Sequence, residues 1–129
     1  MKRVIIFCCL VITAFACENS ETEAGVYLEG EIQLKHGEVI YSNNKKASLE
    51  IININDSRCP SDVVCFWAGD ARVTFEFKNN TTSMFELYIS GKDTVDGYIF
   101  ELVSVDPYPV STEVLELDDY IITLNVTEL

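Results

Sequence analysis

The spacing of apolar residues changes character near residue 26 of this chain. From there onward, apolar and polar residues alternate in short runs, and no run keeps the spacing of a helix over several turns. Alternation places the apolar side chains on one face of a β-strand, where they can be buried together. The predicted strands cover residues 26–34, 39–41, 47–54, 72–78, 85–89, 98–105 and 120–126.

Two details refine this pattern. Ile52 and Ile54 continue the third run on the face opposite Ile51, which predicts a β-bulge. Val103 and Val105 add apolar residues to the second face of the sixth run. The polar stretch at residues 90–97 predicts a loop.

Turns rich in glycine, asparagine, aspartate and proline separate the runs. Short strands joined in this way predict an all-β fold. The expected architecture is a single antiparallel β-sandwich, immunoglobulin-like in its layering, or a small barrel of about seven to eight strands. A chain of 129 residues accommodates one such domain with a real core.

The N-terminal residues follow a different pattern. Lys2 and Arg3 precede an uncharged run at residues 4–15 in which only Thr13 is polar. A finished membrane helix needs about 20 residues, so this run is too short to span a bilayer and is typical of an export signal. Three outcomes are compatible with such a signal. The chain can receive a lipid at Cys17, it can be cleaved near Ala16 to give a soluble secreted protein, or it can retain the run as a signal anchor.

Residues 14–17, Ala-Phe-Ala-Cys, resemble the cleavage site of bacterial lipoprotein signal peptides. The resemblance implies that Cys17 becomes the first residue of the mature chain and carries acyl chains that hold it in a membrane. The predicted organisation is therefore a signal peptide at 1–16, a lipidated Cys17 with a flexible acidic tether at 17–25, and a β-sandwich domain at 26–129.

Composition narrows the classes of partner. The chain has 21 acidic and nine basic residues, a formal net charge of −12, and a pI near 4.3. Nucleic acid is excluded as an expected partner because phosphate binding requires clustered lysine and arginine. The single histidine, His36, argues against a zinc or copper site, and we predict no metal and no cofactor.

The five cysteines divide by position. Cys8 and Cys9 belong to the signal, and Cys17 is the predicted lipid carrier. Cys59 and Cys65 remain as an even pair in an exported chain, which predicts one disulfide. Their spacing differs from the Cys-x-x-Cys of thiol oxidoreductases, so a structural bond worth about 2 kcal/mol is the favoured role.

Residues 56–69 form the most distinctive motif, Asp-Ser-Arg-Cys-Pro-Ser-Asp-Val-Val-Cys-Phe-Trp-Ala-Gly. It resembles a family of small exported bacterial proteins, often lipoproteins, that share Asp-Ser-Arg-Cys-Pro followed by Cys-x-Trp-Ala-Gly. Pro-Tyr-Pro at 107–109 and Asp-Tyr at 119–120 also match that family. The resemblance covers most of the chain after about residue 30 and implies no particular activity.

Two interpretations of this motif remain open. As a scaffold, the disulfide closes a turn, Trp67 packs over the sulfur atoms or caps one end of the sandwich, and Gly69 adopts a positive φ. Arg58 would then pair with a nearby carboxylate, of Asp56, Asp62 or Asp70, or with a carbonyl group. As a recognition loop, Arg58 and Trp67 form an exposed patch, since both residue types are frequent binding hot spots.

One further modification is suggested by pattern. Asp93-Thr94-Val95 resembles the Asp-Ser/Thr-aliphatic acceptor of bacterial O-glycosylation, which makes Thr94 a candidate site.

The chain shows no combination of nucleophile, base and acid typical of catalysis. His36 has no second histidine or cysteine near it in sequence, and Ser57 lacks the Gly-x-Ser-x-Gly setting of a nucleophile elbow. We therefore predict a non-catalytic binding or adaptor module of the bacterial cell envelope, anchored in the outer membrane through Cys17. Its expected partner is an envelope protein or a glycan. A structural or inhibitory envelope protein is the alternative, and an enzyme with an unrecognised carboxylate site is less favoured.

Overall fold

Two antiparallel sheets of four strands each face one another in the computed structural model, which describes residues 26–129. The strands are β1 (Gly30–Leu34), β2 (Val39–Tyr41), β3 (Ser48–Asp56), β4 (Ala71–Lys78), β5 (Thr82–Tyr88), β6 (Lys92–Val95), β7 (Tyr98–Asp106) and β8 (Ile121–Glu128). A 3-10 helix at Leu117–Asp119 precedes β8. The predicted signal peptide, Cys17 and the tether at 17–25 lie outside the described residues.

The strand order confirms the sandwich and not the barrel. One sheet has the order β1-β8-β7-β6 and the other β2-β3-β4-β5, and neither closes on itself or on its neighbour. Alternating apolar residues of the two inner faces form one core. Its centre is a group of aromatic rings from both sheets: Phe77 and Phe85 each lie 5.0 Å from Phe100, between ring centroids.

Both irregular runs contain bulges. The register between β3 and β4 shifts between Ile51 and Asn53, which buries Ile54 and confirms the bulge predicted there. A second shift lies between Leu102 and Ser104 in β7. Val103 is exposed there and Val105 is buried, so the expectation of apolar residues on two faces is corrected to a bulge.

Two predicted segments differ from the structure. Residues 92–95, expected in a loop, form β6, a strand at the edge of its sheet that pairs only with β7. Its first three residues are polar and exposed, which suits an edge, where apolar side chains would invite pairing with other chains. The run at 26–34 is interrupted because β1 begins at Gly30, and Tyr27 instead forms an isolated bridge with Tyr41.

The register defines two ends of the domain. At the entry end, the described chain begins at residue 26, and Leu28 donates its backbone N–H to the carbonyl of Tyr41. At the loop end, residues 57–70 connect β3 to β4, and residues 107–120 connect β7 to β8. The nine residues of β3 run between these ends and span about 26 Å at 3.3 Å per step. Within residues 26–129, no helix is long and apolar enough to cross a membrane.

Candidate functional site

The connection at residues 57–70, here called the disulfide loop, is tied together at its base. Beyond the last β3–β4 pair, the N–H of Ser57 donates to the carbonyl of Asp70 at 2.8 Å, and that of Cys59 donates to Ala68 at 2.7 Å. The predicted disulfide between Cys59 and Cys65 is confirmed, with Cα atoms 5.9 Å apart. The loop is therefore a closed and hydrogen-bonded hairpin rather than a loose connection.

Gly69 is required where the two sides of this hairpin meet. Its φ is +70°, a backbone angle that residues other than glycine rarely adopt. A Cβ at this position would overlap the carbonyl oxygen of Ser57 and approach the Cα of Arg58 to 2.9 Å. The positive φ expected of Gly69 is confirmed, and the close backbone approach adds a second reason for glycine.

Replacing Gly69 with alanine should lower the free energy of unfolding by at least about 2 kcal/mol, since both the backbone angle and the contact with Ser57 oppose a methyl group. Gly97 is the matched control, because its φ is +85° and nothing lies within 4 Å of an added Cβ. Gly97→Ala should therefore cost about 1 kcal/mol. Urea unfolding measures both variants; equal losses would show that the disulfide loop does not need the close approach.

Arg58 fixes the disulfide loop to the opposite sheet. Its Nε and Nη2 donate to the two carboxylate oxygens of Asp56 at 2.8 and 2.6 Å, which is a bidentate pair. Nη1 donates to the carbonyl of Val105 at 2.9 Å, and Nη2 also donates to that of Pro107 at 3.1 Å. The guanidinium lies 4.6 Å from the ring centroid of Tyr108. One side chain thus joins the ends of β3 and β7.

The ion pair is largely withdrawn from solvent. The side chains of Arg58 and Asp56 are 8% and 4% exposed. Burial by itself would raise the pKa of Asp56, but the hydrogen bonds and charge of Arg58 outweigh it and hold that pKa below 3.8. The same hydrogen bonds raise the pKa of Arg58. Burial and then the charge of Asp56 raise the pKa of Tyr120, whose hydroxyl donates to Asp56 at 3.3 Å.

A second contact braces the disulfide loop from the side. The N–H of Ser61 donates to the carbonyl of Pro109 at 3.0 Å. The carboxylate of Asp62 accepts from the N–H of Ser111 at 2.8 Å and from its hydroxyl. These bonds lower the pKa of Asp62. Of the carboxylates considered for Arg58, only Asp56 pairs with it, because Asp62 bonds Ser111 and Asp70 accepts from the N–H of Ala71.

The far end of the disulfide loop presents apolar side chains to solvent. Val64 and Phe66 are fully exposed, at 101% and 103%, and Trp67 is 74% exposed; we call these three residues the apolar tip. The expectation that Trp67 caps one end of the sandwich is wrong, because most of its surface faces solvent. The two residues of the candidate recognition patch are separated, with Arg58 buried at the base and Trp67 exposed at the tip.

Sequence reasoning passed over Val64 and Phe66. The signal was present in the unbroken run Val63-Val64-Cys65-Phe66-Trp67, which lies between Pro60 and Gly69 and has no polar residue. In a strand, alternate members of such a run would be buried. Here the run lies in the disulfide loop and forms no strand, and its side chains stay outside the core.

The remaining candidates lie elsewhere. Thr94 is exposed on the edge strand β6, and O-glycosylation there stays a prediction. The Nδ1 of His36 lies 2.8 Å from a carboxylate oxygen of Asp118, which joins the β1–β2 turn to the 3-10 helix. No group of three His, Cys, Asp or Glu side chains within residues 26–129 is arranged to hold a metal ion.

A cleft of about 410 Å³ opens at the entry end. It is lined by Leu28, Glu29, Ser42, Asn43, Asn44 and Glu128. The hydroxyl of Ser42 donates to the side-chain oxygen of Asn44 at 2.8 Å and accepts from the N–H of Ala47 at 2.9 Å. Ser42 is therefore held by the β2–β3 turn, and this cleft lies at the opposite end from His36 and from the apolar tip.

Neither a protein-family profile, nor a curated protein, nor a solved structure matches this chain.

Proposed function

We propose that this chain is a lipid-anchored protein of the bacterial envelope that works as a non-catalytic protein-binding module, with the disulfide loop as its contact surface. The observation that carries the proposal is the apolar tip, three large side chains exposed together on a braced loop. Exposed apolar patches in soluble domains commonly mark interaction sites, and aromatic residues dominate the binding energy of interfaces.

Packing within the domain does not account for two of the three residues of the apolar tip. Val64 and Phe66 are fully exposed, so they bury no apolar surface in the described domain. The loop around them is held instead by the disulfide, by Arg58 and by Asp62. A loop already fixed in one conformation loses little entropy on binding, which favours recognition over a purely structural role.

The predicted anchor and the apolar tip belong to opposite ends of the domain. The chain enters at residue 26, and the loop end lies about 26 Å away along β3. The predicted tether (17–25) contains only nine residues. A lipidated Cys17 would therefore hold the entry end near its membrane and present the tip away from it.

The charge states at the loop end favour binding over catalysis. An enzyme with a carboxylate site would need an acid whose pKa is raised toward neutrality. The carboxyl groups of Asp56 and Asp62 shift the other way, because each is held by hydrogen bonds to its ionised form. Both act as fixed acceptors that position the disulfide loop.

The test uses the full chain with a tag after Leu129, which lies at the entry end. The tagged protein is recovered from detergent-solubilised envelopes in four forms: wild type, Cys17→Ala, Phe66→Ser/Trp67→Ser, and Val39→Ser/Tyr41→Ser. The last pair is the matched control, since Val39 and Tyr41 are also exposed apolar residues but lie on β2. Thermal unfolding checks that each variant is folded.

We expect Cys17→Ala to move from the membrane to the soluble fraction. We expect one or more proteins to co-purify with the wild type and with the β2 control and to be lost from Phe66→Ser/Trp67→Ser at unchanged melting temperature. Membrane association that does not depend on Cys17 would contradict the anchor. Retention of every co-purifying protein by the tip variant would contradict the binding role.

A further inference from the structure

The loop end combines its apolar tip with a surface of one sign of charge. Residues 57–70 and 107–120 contain six acidic residues, all exposed: Asp62, Asp70, Glu113, Glu116, Asp118 and Asp119. The only basic residue in these segments is Arg58, which is buried against Asp56. In the neighbouring β1–β2 turn, Lys35 is accompanied by Glu38.

Most of this negative charge has no cation beside it. Among residues 26–129, Asp118 pairs with His36, and no lysine, arginine or histidine nitrogen lies within 4.0 Å of the other five acidic side chains. Lys45 and Lys46 in the β2–β3 turn and Lys78 at the end of β4 lie toward the entry end, where Glu29, Glu76 and Glu128 accompany them. The negative charge of the loop end is therefore offset by fewer cations than that of the entry end.

We propose that the partner recognised at the apolar tip is a protein surface in which an apolar pocket is bordered by lysine and arginine side chains. This inference rests on the proposed function and adds the chemistry of the partner to it. Phe66 and Trp67 would enter the pocket, and the surrounding carboxylates would meet the basic border. Such an arrangement follows the common interface pattern of an aromatic centre with a charged rim.

Charge decides between this partner and a lipid surface. Membranes of the envelope carry anionic headgroups, and a surface bearing six exposed acids is repelled from them. A protein with a basic border attracts the same surface, which speeds association 10- to 1,000-fold at low salt by the usual magnitude of electrostatic steering. Within the tip, the indole N–H of Trp67 is the only polar side-chain group, which favours an apolar pocket over the many hydroxyls of a glycan.

The test places a photo-crosslinking amino acid at Phe66 in the full, lipidated chain within intact cells. Asn43, an exposed residue at the entry end, is the control position. Crosslinking in isolated envelopes is then measured at ionic strengths of about 0.05 M and about 0.5 M. The higher ionic strength shortens the distance over which charges interact several-fold. A crosslinked peptide of the partner is identified by mass spectrometry.

Charge-reversed variants distinguish the contribution of the acidic residues at the loop end from that of the apolar tip. Glu113→Lys/Asp118→Lys reverses two exposed acids at the loop end, and Glu29→Lys/Glu31→Lys makes the same change in net charge away from it. Glu113→Gln/Asp118→Asn is a milder version that keeps side-chain size. Melting temperatures identify any variant that fails to fold.

We expect a protein to be crosslinked from position 66 but not from position 43, with lysine or arginine next to the crosslinked residue of the partner. The yield should fall on the order of tenfold at high salt and in the loop-end reversal, less in the neutralised pair, and less than about twofold in the entry-end control. One contrary result is a crosslinked protein whose yield changes neither with salt nor in the charge-reversed variant. That result would overturn the proposal that the partner has a basic border, and it would leave the binding role intact. Crosslinks only to lipid or glycan would overturn both proposals.

Discussion

Replacing Arg58 with methionine should lower the free energy of unfolding by roughly 3 kcal/mol, because removing one partner of a buried ion pair leaves the other charge uncompensated. The change would leave the carbonyls of Val105 and Pro107 without the guanidinium donor, and it would leave the carboxylate of Asp56 with only neutral donors, the hydroxyl of Tyr120 and the backbone N–H of residue 58. For a domain of about 100 residues the melting temperature should fall by roughly 12–20 °C.

Arg58→Lys is the matched control for this prediction. Lysine keeps the charge, but its single ammonium group cannot bond both oxygens of Asp56 and reach two carbonyl groups in one plane. An intermediate loss is expected, and wild-type stability in Arg58→Lys would show that the fork of Arg58 is unimportant. A double-mutant cycle combines Arg58→Met with Asp56→Asn. The free energy of unfolding lost in the double variant should be smaller than the sum of the two single losses by at least about 1 kcal/mol.

The loss of stability at low pH provides an independent test of the ion pair between Arg58 and Asp56. The pKa of Asp56 lies below 3.8 in the folded domain, so its contribution to stability is complete above the unfolded value and is lost as the pH falls through the folded value. Wild type should therefore lose stability more steeply below about pH 4 than Asp56→Asn does. Asp62 contributes in the same direction and is present in both proteins, so the difference reports Asp56 alone.

The architecture was predictable because burial and alternation act locally. In β4, Val73, Phe75 and Phe77 alternate with polar residues and all three are fully buried. The bulge after Ile51 was also predictable, because Ile52 and Ile54 continue the run of apolar residues on the opposite face of the strand. The edge strand β6 was missed because an edge strand with exposed, polar residues follows the same sequence pattern as a loop.

The motif was only partly predictable from its residues. A partner for Arg58 among nearby carboxylates followed from charge and proximity in sequence, and Asp56 is that partner. Its second set of partners, the carbonyls at the end of β7, lies almost 50 residues away and depends on how the two sheets meet. The exposure of Trp67 was one of two open interpretations, because large apolar residues are usually buried and the sequence alone did not decide between them.

Two phenylalanines of the same chain should give opposite results on truncation. Phe100 is fully buried between rings of the facing sheet, and Phe100→Ala should lower the free energy of unfolding by about 3–5 kcal/mol. Phe66 is fully exposed, and Phe66→Ala should change it by less than about 0.5 kcal/mol. Urea unfolding followed by circular dichroism measures both.

This comparison tests more than packing, because it decides what the apolar tip contributes. A loss above about 1 kcal/mol in Phe66→Ala would mean that Phe66 packs on the domain in solution, and the binding role would lose its principal support. A small loss in Phe100→Ala would mean that the two sheets are not joined through the aromatic rings at their centre. With the expected pair of results, the large ring of Phe66 adds nothing to stability, and its exposure on a loop fixed by Arg58 supports the proposed binding role.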